Sequence, residues 1–492
     1  MSKVRILLSG IILLVSTQVL ATMTTIQGNA FYYRGKMIEF HQYNDLFTFK
    51  SSVLSKMLVP QDGSFKFELN LEKEGLYLIK IGRVNAHVFI QPGDQYTLVL
   101  PEPITVDRYD PAKDVFILPE IFEAKGKLNY DITDLEKSLN QFVIDHSNFY
   151  GRNVSRLLIP LADSLIDLLN AKYEDYPDPY FRTHLHYRLA TFAIQTNHGR
   201  NKVFDEYFAN REPAYDHLSF ANAFSLFYDE YFDYLNPIRA YRWQADADTA
   251  IQQMDYTRMI QSMQVDPHLP NKTWRELLAV TQLYELGAER KYPLPKIMYM
   301  LDSLLIRAED QTCRVIAANA QELLNRLAPG TMAPDFEFTD LFGNISRLSE
   351  FLGRYLYIQF FDDFDPETLK EMSLMKVLND GYGSDIAMFS ISTEENIQKL
   401  KKISDEYDFE WFFAKALTPR EVIEQYDLRA FPAYYYIDKD LKFIKSPASH
   451  PGAKIEKLFA KAWNMEHPNK ALHFKLQPPE VEPEEVPVPP KN

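Results

Sequence analysis

The spacing of apolar residues changes character twice along this chain, and each regime asks for a different kind of core. From residue 22 to about 105, apolar and polar positions alternate between turn signals. Phe65, Phe67 and Leu69 follow Asp62-Gly63, Tyr77, Ile79 and Ile81 follow Gly75, and Val88 to Ile90 precede Pro92-Gly93-Asp94. Period two between such turns predicts a half-buried antiparallel sheet. From about 130 to 328 the period becomes helical. Leu157, Leu158, Leu161, Leu165, Leu168 and Leu169 fall on one stripe, and Leu277, Leu278 and Leu283 begin another. Pro177, Pro213, Pro237, Pro267, Pro270 and Pro293 break this region at spacings that suit helix hairpins. No fixed repeat emerges, so an irregular helical domain is expected rather than a solenoid. Beyond Ala333 strands alternate with helices: strand Tyr355 to Phe361, helix Pro366 to Asn379, strand Ile386 to Ser392, a helix from about Glu394 to Tyr407, and strand Ala433 to Ile437. A chain of 492 residues is too long for one ordinary core. The expectation is a multi-domain α+β protein: an antiparallel β-sandwich over 22–105, an irregular α-helical domain over 130–328, and an α/β domain over 333–465. With 46 % hydrophobic residues, including 30 Tyr and 34 Phe, there is material to bury in all three.

The two ends read differently. Lys3 and Arg5 precede an apolar run from Ile6 to Val15 and the segment Ser16-Thr17-Gln18-Val19-Leu20-Ala21, which ends in a small residue. This is the pattern of a cleaved export signal over 1–21. A membrane anchor is the competing reading, but Ser9, Gly10, Ser16, Thr17 and Gln18 interrupt a stretch already short of the ~20 apolar residues a span needs. No cysteine lies near the cleavage site to carry a lipid. At the other end, 477–492 is dense in proline and glutamate, a composition that disfavours packing and predicts a disordered, acidic tail. Without Lys3 and Arg5 the chain has 51 basic against 68 acidic residues, a net charge of about −17. Nucleic acid and anionic membrane surfaces are therefore poor partners. The one cysteine, Cys313, lies in a helical pattern where Cys behaves as a small buried hydrophobe, so no internal disulfide can form.

Ala333-Pro334-Asp335-Phe336-Glu337-Phe338 opens the third block, and Leu341-Phe342-Gly343-Asn344-Ile345 is a glycine-bearing turn before the first core strand. Phe431-Pro432 stands just before the last strand. From Pro334 to about Trp463 these landmarks and the βαβ order resemble the thioredoxin-like, thiol-specific antioxidant family. The resemblance implies a C-terminal thioredoxin-like domain, a cis-proline at Pro432, and extended substrate backbone bound beside it. Val59-Pro60-Gln61-Asp62-Gly63-Ser64-Phe65 and Phe89-Ile90-Gln91-Pro92-Gly93-Asp94 likewise resemble the small β-sandwich domain of unknown function that precedes such domains in many envelope proteins. Where the family carries a C-x-x-C pair, this chain has Asp365 and Thr368. Neither side chain can attack a disulfide or resolve a mixed one.

Asp365 instead suits a helix N-cap, with Pro366 at the first helical position and Glu367 in the first turn. Asp362, Asp363, Asp365 and Glu367 offer oxygen ligands for a hard cation, but their spacing is not an EF-hand and lacks its glycine. Cys313 lies upstream of the block and would act only if the helical domain delivered it to this face. Phe220, Phe224, Phe227 and Tyr231, with Tyr228, Phe232 and Tyr234, fit either a helical core or a peptide groove. His184 and His186 point to different sides of a helix, and Gly381-Tyr382-Gly383 is too short for a nucleotide loop. Signatures of zinc proteases, P-loops and serine hydrolases are absent.

The sequence therefore predicts an exported protein of the periplasm or cell envelope with no catalytic residue, no cofactor and no metal. It is expected to be redox-inactive and to bind envelope proteins or extended peptides through Phe364, Asp365, Phe431 and Pro432, with no stable membrane insertion after signal cleavage. An active thiol-disulfide oxidoreductase or peroxidase-like enzyme, and a structural module of an envelope assembly, are the alternatives.

Overall fold

Turn chemistry and alternation build the N-terminal part. The computed structural model describes residues 23–102, 115–147, 158–232, 242–393, 397–428 and 430–467; the expected export signal and acidic tail lie outside them. At Asp62-Gly63 the Asp62 carboxylate accepts from the Ser64 amide at 3.0 Å, and Gly63 takes φ +78, which only glycine adopts without strain. Two sheets follow. One has four strands in the order Ser64–Asn70, Met23–Asn29, Gln95–Val99, Glu120–Glu123; the other has five, in the order Ser51–Leu58, Met37–Tyr43, Gly75–Ile81, Val84–Ile90, Val115–Ile117. Ile26, Phe67, Tyr96 and Leu98 of the first face Phe40, Ile79, Ala86 and Val88 of the second in one shared core. Antiparallel pairing dominates, but Met23–Asn29 runs parallel to Gln95–Val99 and Val84–Ile90 parallel to Val115–Ile117. The expected antiparallel sandwich thus holds two parallel pairs, because the chain passes through the other sheet between the two partners of each pair.

Half-burial holds for Ser64–Asn70, where Phe65 and Phe67 are buried between exposed neighbours, but not for the strand that follows. Every residue of Gly75–Ile81 is buried except Lys80. One face of this strand fills the sandwich and the other lies under helices: Leu76 packs with Leu46 and Ala221, and Phe47 meets Phe220 and Phe224 at 6.2 and 5.8 Å between ring centroids.

Several of the helices begin at side-chain caps. Asp178 accepts from the Tyr180 and Phe181 amides, Asn271 from that of Trp274, and Asp310 from those of Thr312 and Cys313. Along Leu158–Lys172 the buried face is Leu158, Ala162, Ile166 and Leu169, with Leu165 beside it, while Leu161 and Leu168 are exposed. The expected leucine stripe is therefore rotated, since Ala162 and Ile166 contribute to the face and two leucines fall off its edge. Phe220, Phe224, Phe227, Tyr228, Tyr231 and Phe232 are all buried in one core with Trp243 and Trp274, so they are core and line no groove; Tyr234 lies outside the described residues.

The C-terminal sheet has seven strands in the order Ile345–Arg347, Glu337–Asp340, Phe412–Ala416, Ile386–Ser392, Tyr355–Phe361, Ala433–Ile437, Phe443–Lys445. Tyr355–Phe361 runs parallel to Ile386–Ser392 and antiparallel to Ala433–Ile437. All seven of its residues are buried, as expected of a central strand covered on both faces. Leu356, Ile358 and Phe360 enter one core with Phe336, Phe389 and Tyr435; Tyr355, Tyr357 and Phe361 enter the other with Met372, Met375 and Phe459.

Candidate functional site

The central strand ends at Phe361, and the chain then turns into the helix Pro366–Tyr382. Asp365, extended at φ −71 and ψ 167, caps this helix: its carboxylate accepts from the Thr368 amide at 2.7 Å. A carboxylate also complements the positive end of the helix. Asp365 is exposed, whereas Thr368 is buried beneath the first turn. The two positions where the resemblance places a dithiol thus hold a capping carboxylate and an inward-facing threonine.

The nearby carboxylates do not converge. Asp363 accepts from Lys399 Nζ at 2.5 Å and from the Phe364 amide at 2.8 Å, Asp365 is committed to the cap, and Glu367 is exposed. Burial pushes the Asp362 carboxyl up from the ordinary carboxylate value. Among the described residues, no group of three His, Cys, Asp or Glu side chains is placed to hold a metal ion.

Beside the central strand, the peptide between Phe431 and Pro432 is cis, and the strand that follows pairs Ala433 with Phe360. This register brings the Phe431-Pro432 loop to the end of the sheet where the chain leaves Phe361 for Asp365. The two aromatic rings serve opposite faces: Phe364 packs on Phe361 at 5.0 Å in one core, and Phe431 packs against the core that contains Phe360 and Tyr435. Phe364, Phe431 and Pro432 are half-buried and Asp365 is exposed. The topology therefore gathers the four expected residues at one end of the sheet, with the two rings on different faces.

A buried polar chain lies under the first helix, and sequence reasoning missed it. Trp411 Nε1 donates to Ser390 Oγ at 2.9 Å, Ser390 Oγ to Gln359 Oε1 at 2.8 Å, and Gln359 Nε2 to Tyr434 Oη at 2.7 Å. Tyr434 Oη donates to Glu371 Oε2 at 2.5 Å, and the half-exposed His450 stands 3.5 Å from Glu371 Oε1. Burial and the carboxylate push the Tyr434 phenol up, so it remains a donor. The available clue was Gln359 itself, an amide inside an otherwise apolar strand.

Cys313 is far from this chemistry in kind. It is fully buried in the helical core, its Sγ lies 3.7 Å from Tyr215 Oη, and burial pushes the thiol up. A protonated, inaccessible thiol is a poor nucleophile.

A central strand with parallel and antiparallel neighbours, helices over both faces, and a cis-proline loop beside the first helix define the C-terminal part as a thioredoxin-like fold. Over about a quarter of its length the chain is similar to thiol-disulfide oxidoreductases of that class. The thiol-disulfide oxidoreductases ResA of Bacillus thuringiensis and Bacillus cereus are each 29 % identical to it over 118 residues, covering 24 % of this chain and 67 % of the relative. Among solved structures, a thiol:disulfide interchange protein from Bacteroides sp. is 22 % identical, with 30 % of this chain and 96 % of that one covered and a TM-score of 0.26. No family model matches the chain.

Proposed function

We propose that this is an exported thioredoxin-like protein that binds extended peptides or envelope proteins without dithiol chemistry. The observation that carries the reading is the state of the former redox positions: Asp365 is spent on capping its own helix, Thr368 is buried, and the one thiol is enclosed in a different core. What persists is the backbone geometry at the Phe431-Pro432 loop, a place where an extended chain can pair without help from sulfur. The N-terminal pattern of Lys3, Arg5 and the run Ile6 to Val15 supports export. Phe364, Asp365, Phe431 and Pro432 form the binding end of the sheet in this reading. The test is titration of unfolded envelope proteins and peptides against the purified protein and its Phe431→Ala and Pro432→Ala variants. Binding that weakens in folded variants supports the reading, and binding indifferent to both substitutions removes the site.

The similarity to the ResA proteins favours one other reading, an oxidoreductase drawing on an external thiol or on Cys313. It requires thiol-disulfide exchange by the purified protein that is lost in Cys313→Ser or depends on an added thiol. No turnover above the uncatalysed rate removes it.

A further inference from the structure

The junction between the five-stranded sheet and the helices contains a group of polar atoms that the protein does not itself satisfy. Tyr180, His184 and Arg188 recur every four residues along the helix Pro179–Gln195 and so share one face. That face meets Phe89, whose ring lies 5.5 Å from His184 and 6.1 Å from Tyr180. It also meets the start of the helix Leu218–Phe227, where His217 stacks on Tyr180 at 4.2 Å. Among the described residues, Tyr180 Oη, both ring nitrogens of His184, Arg188 Nη1, His217 Nδ1 and Ser219 Oγ are buried with no hydrogen-bond partner. Tyr180, His184 and Ser219 are only 7, 5 and 2 % exposed, so bulk solvent does not supply one.

Nearby polar groups are matched in detail. Asn129 Nδ2 donates to the Phe89 carbonyl at 2.7 Å and to Glu123 at 2.9 Å, and Gln91 Nε2 donates to Glu74 at 2.8 Å and Asp178 at 2.6 Å. The orphaned atoms here lie on the Tyr180, His184 and Arg188 face and at the start of the facing helix, at His217 and Ser219. Interior polar groups are nearly always paired with protein or with ordered water, because an unpaired one loses its solvation for nothing.

The charge balance limits what can pair with them. Arg188 is already neutralised by a two-pronged contact with Glu136, at 2.5 and 2.9 Å. Burial holds His184 at about 3 and His217 at about 4, so both rings are neutral near pH 7. Glu74, Asp178 and Asp216 surround Tyr180 and disfavour an anion. The phenol, the serine hydroxyl, the guanidinium N–H and the imidazole N–H groups need acceptors, while the second His184 nitrogen needs a donor. A small neutral molecule that both accepts and donates meets this demand.

We propose that ordered water is built into this junction, bridging His184 to Tyr180, Ser219 and Arg188 and joining the helices to the sandwich. Tyr180→Phe and Ser219→Ala each delete one oxygen with little change of shape, and the sign of their effect decides the matter. Bridged hydroxyls predict that each variant lowers the denaturant midpoint of the full chain, with the double variant falling by less than the two separate losses combined. A dry junction predicts that each variant leaves the midpoint unchanged or raises it, and that result overturns the proposal. A high-resolution crystal structure gives an independent readout: water within hydrogen-bond distance of both His184 nitrogens supports it, whereas apolar contacts around the ring, or density for a larger solute, overturn it.

Discussion

Asp365 caps the helix at the position where the resemblance places a nucleophile, and the two roles predict different mutational behaviour. Asp365→Ala should cost about 1 kcal/mol of stability, read as a lower denaturant midpoint, while Asp365→Asn, which keeps the capping oxygen, should cost much less. Equal losses would show that the carboxylate acts through something other than the cap. The histidines make a second prediction. Burial holds His184 at about 3 and both His87 and His217 at about 4, below their ordinary 6.5. As pH falls, the unfolded chain takes up these protons first, so the stability they confer is complete above about pH 6.5 and declines toward pH 4. The expected slope is about 1.4 kcal/mol per pH unit for each histidine. Urea midpoints measured from neutral pH down to about pH 5 should fall steadily; a flat profile would contradict burial of these rings.

At the scale of elements, strong local patterns were readable and tertiary burial was not. The strands Tyr355–Phe361, Ile386–Ser392 and Ala433–Ile437 lie where their apolar runs predict. The helix from Pro366 continues to Tyr382, past the expected end at Asn379, because Gly381 is tolerated within it. Val115–Ile117 and Glu120–Glu123 are too short to show a period, and their pairing depends on strands far away in sequence. Leu161 and Leu168 misled because a stripe shows which residues share a face but not how that face is rotated toward its neighbours. At the site, the cap could be read from Asp365-Pro366-Glu367, but the polar chain through Gln359 joins four elements and has no local signature. Gln359→Leu would strip Ser390 of its acceptor and Tyr434 of its donor in a buried setting, at an expected cost of about 1–3 kcal/mol in thermal or chemical unfolding. A neutral result would mean that the chain is replaceable by apolar packing.

Across the whole molecule, the thioredoxin-like fold docks on the sandwich at the Gly82 turn, whose left-handed backbone strains any residue but glycine. Gly82 has φ +57, and a Cβ there would fall 1.4 Å from Arg420 Nη1. Arg420 donates to the Ile81 carbonyl at 3.2 Å, and Lys80 pairs with Glu424 at 3.1 Å. Both partners lie on the helix Pro419–Gln425, which leads into the Phe431-Pro432 loop. Gly82→Ala should therefore release this contact, seen as faster amide exchange in 419–425 with little change in the sandwich core; unchanged exchange would show that the docking does not depend on it. Among the described residues no helix is long and apolar enough to cross a membrane. Binding at this end of the sheet is proposed to need no thiol chemistry. It is tested most directly by photo-crosslinking in cells from a probe at Phe431 in a Cys313→Ser background, with mass spectrometry of the products. Discrete protein adducts are the predicted result; a folded, exported protein that yields none, or adducts that appear only when Cys313 is present, would contradict it.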